Sequence, residues 1–108
     1  MPTLYRVIVL PEAFADLDRI IDYIKRDSPQ NAMLVVERLQ KAIESLDELP
    51  HRHKIHRWDR RPERVIRSVP VSSYIIYYRV IDTPPTVRVL TIRHGARRPP
   101  RRFSDLSQ

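Results

Sequence analysis

The chain has 108 residues, no cysteine and a formal net charge of +7, with 20 Lys and Arg against 13 Asp and Glu. This length suits one domain with its own core, and the lack of cysteine excludes a disulfide framework and thiol chemistry. With no targeting signature and no apolar run of about 18 residues, we expect a cytoplasmic protein that makes no membrane contact.

The positive charge is concentrated in the second half of the chain. Residues 1–50 carry a net charge of −3, whereas residues 51–108 carry +10. Seventeen of the 20 cations are arginine, whose planar guanidinium suits phosphate and carboxylate recognition better than lysine does. Two anionic partners fit this pattern, namely nucleic acid or an acidic protein segment.

The first half predicts a strand followed by two helices. The run from Leu4 to Leu10 has strand length, and Pro11 suits a first helical position. Ser28-Pro29 ends the first helix and caps the second, so this short link predicts an antiparallel hairpin. The predicted buried faces comprise Phe14, Leu17, Ile20, Ile21 and Ile24 in the first helix and Ala32, Val36, Leu39, Ile43, Leu46 and Leu49 in the second, which Pro50 closes. We expect the helix carboxylates to be solvated.

The second half predicts a basic loop and then three strands. Residues 51–64 have no periodicity, and the strands are Val65 to Val71, Tyr74 to Val80 and Val87 to His94. The order β-α-α-β-β-β predicts an α+β domain, with the helical hairpin packed on one face of a small antiparallel sheet. The strands carry Arg67, Arg79, Arg88 and Arg93, which predicts a cationic sheet face that an anionic surface covers or that stays solvated.

Two groups of residues are candidates for chemistry. The histidines His51, His53 and His56 invite a metal interpretation, but they lie in a cationic loop with only Asp59 nearby, so we predict no metal and no cofactor. Around the only glycine, Gly95, lie His94 and two arginines, Arg93 and Arg97. This group could supply general acid–base catalysis, although a structural or binding role is favoured. Tyr77 and Tyr78 are expected to pack in the sheet.

The chain resembles the RelE/ParE superfamily of type II toxin–antitoxin toxins over residues 4 to 98. The resemblance is carried by the element order, by Ser28-Pro29, by Val69-Pro70-Val71, by Tyr74-Ile75-Ile76-Tyr77-Tyr78-Arg79-Val80 and above all by Ile92-Arg93-His94-Gly95-Ala96-Arg97. It implies a bacterial toxin that a partner antitoxin neutralises. We therefore divide the chain into one toxin domain, residues 1–97, and a basic Pro/Arg-rich tail, residues 98–108, which we expect to be loose until a partner binds it.

Two activities compete within this superfamily. RelE-like members cleave messenger RNA in the ribosome, and their pattern places an arginine at Ile75 and lysines near Ile66 and Ser68. Many of them also use a tail tyrosine, where this chain offers Phe103. An apolar Ile75 cannot stabilise a phosphate, which disfavours that mechanism.

The remaining resemblance is to ParE members, which poison DNA gyrase by binding and without known covalent chemistry. It implies target or antitoxin contacts by Arg67, Arg93, His94 and Arg97, with Arg79 sharing that role or ordering the sheet. A basic sheet face and an apolar groove beside the hairpin suit an acidic antitoxin that folds on binding. We therefore expect a hetero-oligomer with the antitoxin. The alternatives are a ribosome-dependent endoribonuclease using Arg93, His94 and Arg97, or a simple basic nucleic-acid-binding module.

Overall fold

The computed structural model describes residues 3–99, 101 and 103. Its elements are β1 (Arg6–Val9), α1 (Pro11–Asp27), α2 (Pro29–Glu44), β2 (Lys54–Arg57), β3 (Ile66–Val71), β4 (Tyr74–Asp82) and β5 (Pro85–His94). The five strands form one sheet in the order β1-β5-β4-β3-β2, and the two helices pack on one of its faces. The predicted α+β fold with a helical hairpin on a sheet is confirmed.

The sheet differs from the prediction in two details. β1 pairs in parallel with β5, Arg6 opposite Thr86 and Val9 opposite Val89, so the sheet is mixed rather than purely antiparallel. The predicted basic loop also contains a fifth strand, β2, which pairs antiparallel with β3 at the sheet edge. Its charged sequence hides it, because edge strands commonly carry charges that prevent further strand pairing.

The helix boundaries follow the predicted signals. Pro11 is the first residue of α1. A backbone N–H at this position would have no acceptor within the helix, so the lack of an N–H in proline costs no hydrogen bond. Ser28 is the only residue between the helices, and its Oγ accepts a hydrogen bond from the backbone N–H of Asn31 at 3.2 Å. No helix in the part of the chain that the structure describes is long and apolar enough to cross a membrane.

The main core lies between the helices and the sheet. It contains Ala13, Ile20, Val35, Leu39, Ile43, Leu46, Tyr74, Ile76, Tyr78, Val80, Val87, Val89 and Ile92. The prediction of core residues is wrong for Phe14 and Leu49, whose side chains are exposed, and Ile21 and Val36 are only half-buried and lie outside this core. Leu49 misses the core because α2 ends at Glu44 and Leu49 adopts a left-handed backbone conformation (φ 46°) before Pro50.

A second, smaller cluster covers the sheet face opposite the helices, which we call the open face. Alternation along β4 places Tyr77 there, where it packs with Ile66, Leu90 and Phe103, and Ile75 packs against this cluster. The centre of the open face is thus apolar, and the prediction of a cationic face is wrong there. Two of the predicted strand arginines, Arg79 and Arg88, lie opposite each other on this face, nearer the turn that joins β4 to β5. The sheet-packing role predicted for Tyr77 and Tyr78 is confirmed.

The C-terminal tail touches the open face at two described positions. The ring of Phe103 is buried beside Tyr77, with ring centroids 5.5 Å apart, and the Arg57 guanidinium lies 5.2 Å above the Phe103 ring. Arg57 also donates to the carbonyl of Arg101 at 3.1 Å. The prediction of a loose tail is therefore wrong at Phe103, while positions 100, 102 and 104–108 lie outside the described residues.

Tyr78 ties the core to the loop that precedes β2. Its fully buried hydroxyl donates to the carbonyl of Pro50 at 2.7 Å. Burial raises the pKa of Tyr78 to about 12, and the nearby Arg67 and Arg52 oppose that rise. The phenol is therefore a neutral hydrogen-bond donor throughout the physiological pH range.

Alkaline pH is expected to destabilise the folded state through Tyr78. The folded state keeps this proton up to about pH 12, whereas an unfolded tyrosine loses it near pH 10. This contribution to stability is therefore complete below about pH 10 and is lost as pH rises toward 12, by about 2 to 3 kcal/mol. Urea unfolding curves on either side of pH 10 measure it.

Tyr78→Phe is the matched control for this effect. It keeps the ring but leaves the Pro50 carbonyl without its donor, so stability at neutral pH should fall by about 1 kcal/mol. The loss of unfolding free energy above pH 10 should be smaller in this variant, by the amount that Tyr78 contributes in the wild type. An alkaline loss of equal size in both proteins would contradict the assignment to Tyr78.

Candidate functional site

A buried carboxylate joins α1 to the end of β5. Asp16 is only 4% exposed, and its Oδ2 accepts from the backbone N–H of Ile92 at 2.9 Å and from the Thr91 hydroxyl at 2.5 Å. Its Oδ1 accepts from the guanidinium of Arg19, one turn along the helix. All the hydrogen bonds that a buried carboxylate needs are thus supplied from within the protein.

The strand pattern explains why Asp16 is needed there. The last contact between the β1 segment and β5 is from the N–H of Leu10 to the carbonyl of Val89, at 3.0 Å, because Pro11 then begins α1. Beyond Val89, none of the described strands covers this edge of β5. Asp16 supplies the acceptor that a strand would otherwise provide, so the prediction that the helix carboxylates are solvated is wrong for Asp16.

Next to this junction, the ends of β4 and β5 and one face of α1 enclose a cavity of about 440 Å³. We call it the β5–α1 cleft. Its lining residues are Asp16, Arg19, Ile20, Tyr23, Tyr74, Ile92, Arg93, His94 and Arg97. The cleft brings cations from two distant parts of the sequence around one buried carboxylate, and we take it as the candidate functional site.

Three of the predicted site residues lie together in this cleft. Arg93 donates to the Thr91 hydroxyl at 3.2 Å and lies 4.0 Å from a carboxylate oxygen of Glu12. His94 packs edge-on to Tyr74, with ring centroids 5.4 Å apart. Arg97 is exposed, and its backbone N–H donates to the His94 carbonyl at 3.0 Å. The His-Gly-Ala-Arg turn therefore holds both ends of the motif at the cleft.

The tautomer of His94 is fixed by the turn that follows it. Its Nδ1 accepts the backbone N–H of Ala96 at 3.1 Å, so in the neutral ring the proton is on Nε2. Between them, Gly95 donates its N–H to the Ser73 carbonyl at 2.7 Å. Its backbone does not require glycine, since φ is not positive and a Cβ added at this position would meet that carbonyl at an ordinary 3.4 Å.

The other two predicted site residues lie elsewhere. Arg67 donates from Nη1 to the carbonyls of His51 and His53, at 2.9 and 2.7 Å, and so anchors the segment before β2. Arg79 is only 6% exposed, so the expectation of a charge on an accessible strand face is wrong for it. Its burial favours the second role predicted for it, which is to order the sheet.

Sequence reasoning missed Arg19, Tyr23 and Tyr74 as members of the site. Asp16, Arg19, Ile20 and Tyr23 occupy helix positions i, i+3, i+4 and i+7, so they share one face of α1. The sequence spacing shows that these four residues share a helix face, but it does not show that this face contacts β5. Burial raises the pKa of the Tyr74 hydroxyl, and the neighbouring Tyr23 adds to that rise.

The three loop histidines are placed in different surroundings. His51 Nε2 lies 2.9 Å from Asp82, which also accepts from the Tyr5 hydroxyl at 2.7 Å. His53 lies edge-on to Tyr78, and His56 lies against Tyr77. Among residues 3–99, 101 and 103, no three His, Cys, Asp or Glu side chains are grouped so that they could hold a metal ion.

Comparison with known proteins places this chain in a family. Residues 7–99 match the family described as the ParE toxin of the type II toxin–antitoxin system parDE. The chain belongs to this ParE toxin family. It is 39% identical over 85 residues to Toxin RelE2 of Caulobacter vibrioides, covering 79% of this chain and 89% of that protein. It is 35% identical over 83 residues to the putative toxin Y4kP of Sinorhizobium fredii, covering 77% and 80% of the two chains.

Solved structures of toxin–antitoxin proteins share the fold of this family member. One is from the chromosomal ParDE system of P. aeruginosa, with a TM-score of 0.66, 20% identity and coverage of 85% of this chain and 97% of that chain. Another is from the RelBE2 toxin–antitoxin complex of Mycobacterium tuberculosis, with a TM-score of 0.59, 26% identity and coverage of 88% and 95%. The protein is thus a type II toxin–antitoxin toxin of the ParE/RelE family.

Replacing Asp16 is expected to destabilise the fold. Asp16→Ala leaves the Ile92 N–H and the Thr91 hydroxyl without their acceptor, so we expect a loss of about 3 kcal/mol in the free energy of unfolding. Urea denaturation followed by circular dichroism measures it. Asp18→Ala, an exposed carboxylate on the same helix, is the control and should change stability by less than about 0.5 kcal/mol. Equal losses in both variants would refute the structural role of Asp16.

Proposed function

We propose that this toxin poisons DNA gyrase by binding it, and that an acidic cognate antitoxin neutralises it. The observation that carries the proposal is the apolar open face. Ile66 is fully buried there, Ile75 packs against the cluster, and Phe103 covers it. These are the positions where the resemblance to ribonuclease members calls for cations and a tyrosine, and apolar groups cannot stabilise a phosphate in a transition state.

Of the predicted site residues, three that can carry positive charge lie together at the β5–α1 cleft instead. Arg93, His94 and Arg97 line it together, and the described lining residues give them no carboxylate arranged as a general base. The carboxylate of Asp16 already accepts hydrogen bonds from Ile92, Thr91 and Arg19. Such a site is suited to binding an anionic surface rather than to proton transfer through a carboxylate pair.

A ribosome-dependent endoribonuclease is the second candidate. The relative with 39% identity carries the name Toxin RelE2, and His94 keeps a donor at Nε2 beside two arginines. In this case, His94 would first take up a proton at Nδ1 and give up its hydrogen bond from Ala96, and the resulting imidazolium would act as the general acid while Arg93 and Arg97 stabilise the phosphate. Primer extension on messages from cells that express the toxin would show new cuts within codons.

The gyrase proposal predicts a specific loss of inhibition. The purified toxin should inhibit gyrase supercoiling of a relaxed plasmid, and Arg97→Gln should weaken this inhibition about tenfold, as expected for one charge-assisted contact of about 1.5 kcal/mol. Arg60→Gln removes the same charge at an exposed position outside the cleft and should inhibit like the wild type. Unaffected supercoiling at a large excess of wild-type toxin would refute the proposal.

The surface that we propose for antitoxin binding is separate from the β5–α1 cleft. A groove of about 710 Å³ runs along the helical hairpin and includes Ile21, Met33, Leu34 and Val36 in its lining. Met33 and Leu34 are neighbours in this lining and are 75% and 52% exposed, and adjacent exposed apolar side chains of this kind are typical of a surface that a partner covers. The solved relatives include a toxin–antitoxin complex. The groove itself lies on the half of the chain with net charge −3, so the acidic residues of the partner would serve the net charge of +10 on residues 51–108.

Met33→Asp should block antitoxin binding at this groove. We expect the product of a short acidic reading frame beside the toxin gene to form the complex, measured by isothermal titration calorimetry. A carboxylate in the groove should cost about 2 kcal/mol or more of binding free energy. Asn31→Asp, on the same helix outside the groove lining, is the matched control. Equal affinity in both variants, or no complex at all, would contradict the proposal.

A further inference from the structure

The β5–α1 cleft offers mostly hydrogen-bond donors to a ligand. Arg19, Arg93 and Arg97 contribute guanidinium groups, and His94 contributes Nε2–H in its neutral form. Asp16 is the one carboxylate among the lining residues, and its two oxygens already accept three hydrogen bonds within the protein. A ligand that satisfies this cleft must therefore be an anion that accepts hydrogen bonds and donates few.

The cleft also offers an aromatic surface next to its cations. Tyr23 is 67% exposed at the cleft, whereas Tyr74 is buried and packs against His94. Tyr23 lies one helical turn beyond Arg19 on the same face of α1. An exposed aromatic ring beside arginines is the combination that single-stranded nucleic acid uses, with bases stacked on rings and phosphates held by cations.

We propose that the β5–α1 cleft binds a single strand of nucleic acid, with a phosphodiester held by Arg19, Arg93 and Arg97 and a base stacked on Tyr23. A carboxylate side chain could form ion pairs with the arginines, but it has no aromatic group that could stack on the exposed Tyr23 ring. A paired duplex would keep its base faces stacked away from Tyr23. The assignment of the strand to DNA rests on the proposed function, because gyrase works on DNA.

Direct binding to an oligonucleotide tests this inference without gyrase. The probe is fluorescein-labelled oligothymidylate of about 12 nucleotides, titrated with the full chain by fluorescence anisotropy over a range of NaCl concentrations. Single strands give a slope of log K against log salt of about −0.7 for each phosphate contacted, so three arginines predict a slope near −2. Arg97→Gln should reduce the magnitude of that slope by about 0.7.

Tyr23→Leu should give a different signature from the arginine variant. Removal of a stacking ring should weaken binding about tenfold and leave the salt slope unchanged. Phe14→Leu replaces another exposed ring of α1 that does not line the cleft, and Arg60→Gln removes an exposed cation outside it. Both controls should bind like the wild type. All four side chains are exposed, and thermal unfolding checks that each variant keeps the fold.

Several results would overturn the inference. The cleft has no special role if Arg60→Gln reduces the slope as much as Arg97→Gln, or if Tyr23→Leu binds like the wild type. Polyglutamate that competes as well as oligothymidylate of the same length would make the site a carboxylate site. Binding to oligouridylate alone would overturn the assignment to DNA.

The supercoiling assay on the same variants separates this inference from the proposed function. If Tyr23→Leu binds the oligonucleotide like the wild type while the wild-type toxin inhibits gyrase, the inference fails and the function stands. If oligonucleotide binding follows the cleft variants but the wild-type toxin does not inhibit gyrase, the gyrase proposal fails and the cleft assignment stands.

Discussion

The Asp16 carboxylate is the interaction on which the rest of the site depends. β1 stops pairing with β5 at Val9 because Pro11 starts a helix, and this leaves the last part of β5 without a neighbour from β1 on that side. A buried backbone N–H without an acceptor would be costly there. By accepting from Ile92 and Thr91, Asp16 fixes α1 against the strand end that carries Arg93 and His94.

The same interaction sets the electrostatic character of the cleft. A carboxylate with free oxygens would bind the other guanidiniums of the cleft as Asp16 binds Arg19, and would leave fewer cations for an anionic ligand. Because the oxygens of Asp16 are already bonded within the protein and the residue is buried, it has little capacity left for a ligand. Arg19 is paired with Asp16 yet mostly exposed, so it can meet both the carboxylate and an incoming anion.

Local sequence patterns predicted most of the helices and strands. The features that the sequence did not predict depend on contacts between residues far apart in the chain. Pro11 and Ser28 predicted the helix starts, and the β-branched and aromatic residues around Tyr77 predicted β4. The parallel pairing of β1 was not readable, because alternation gives the faces of a strand but not the direction of its neighbour. The burial of Asp16 was not readable either, because the apolar residues predict a buried face through Leu17 and Ile24, whereas the most buried residues of α1 are Ala13, Asp16 and Ile20.

The candidate site was only half predictable for the same reason. Arg93, His94 and Arg97 are close in sequence, so their motif was visible, while Arg19 and Tyr23 join them only through the contact between α1 and β5. The strand arginines illustrate the converse, because Arg67 and Arg79 suggested a cationic sheet face, but Arg67 donates to loop carbonyls and Arg79 is buried. Charge on a strand therefore indicates a candidate binding surface only where the fold leaves the charged group accessible, as it does for Arg93 near the end of β5.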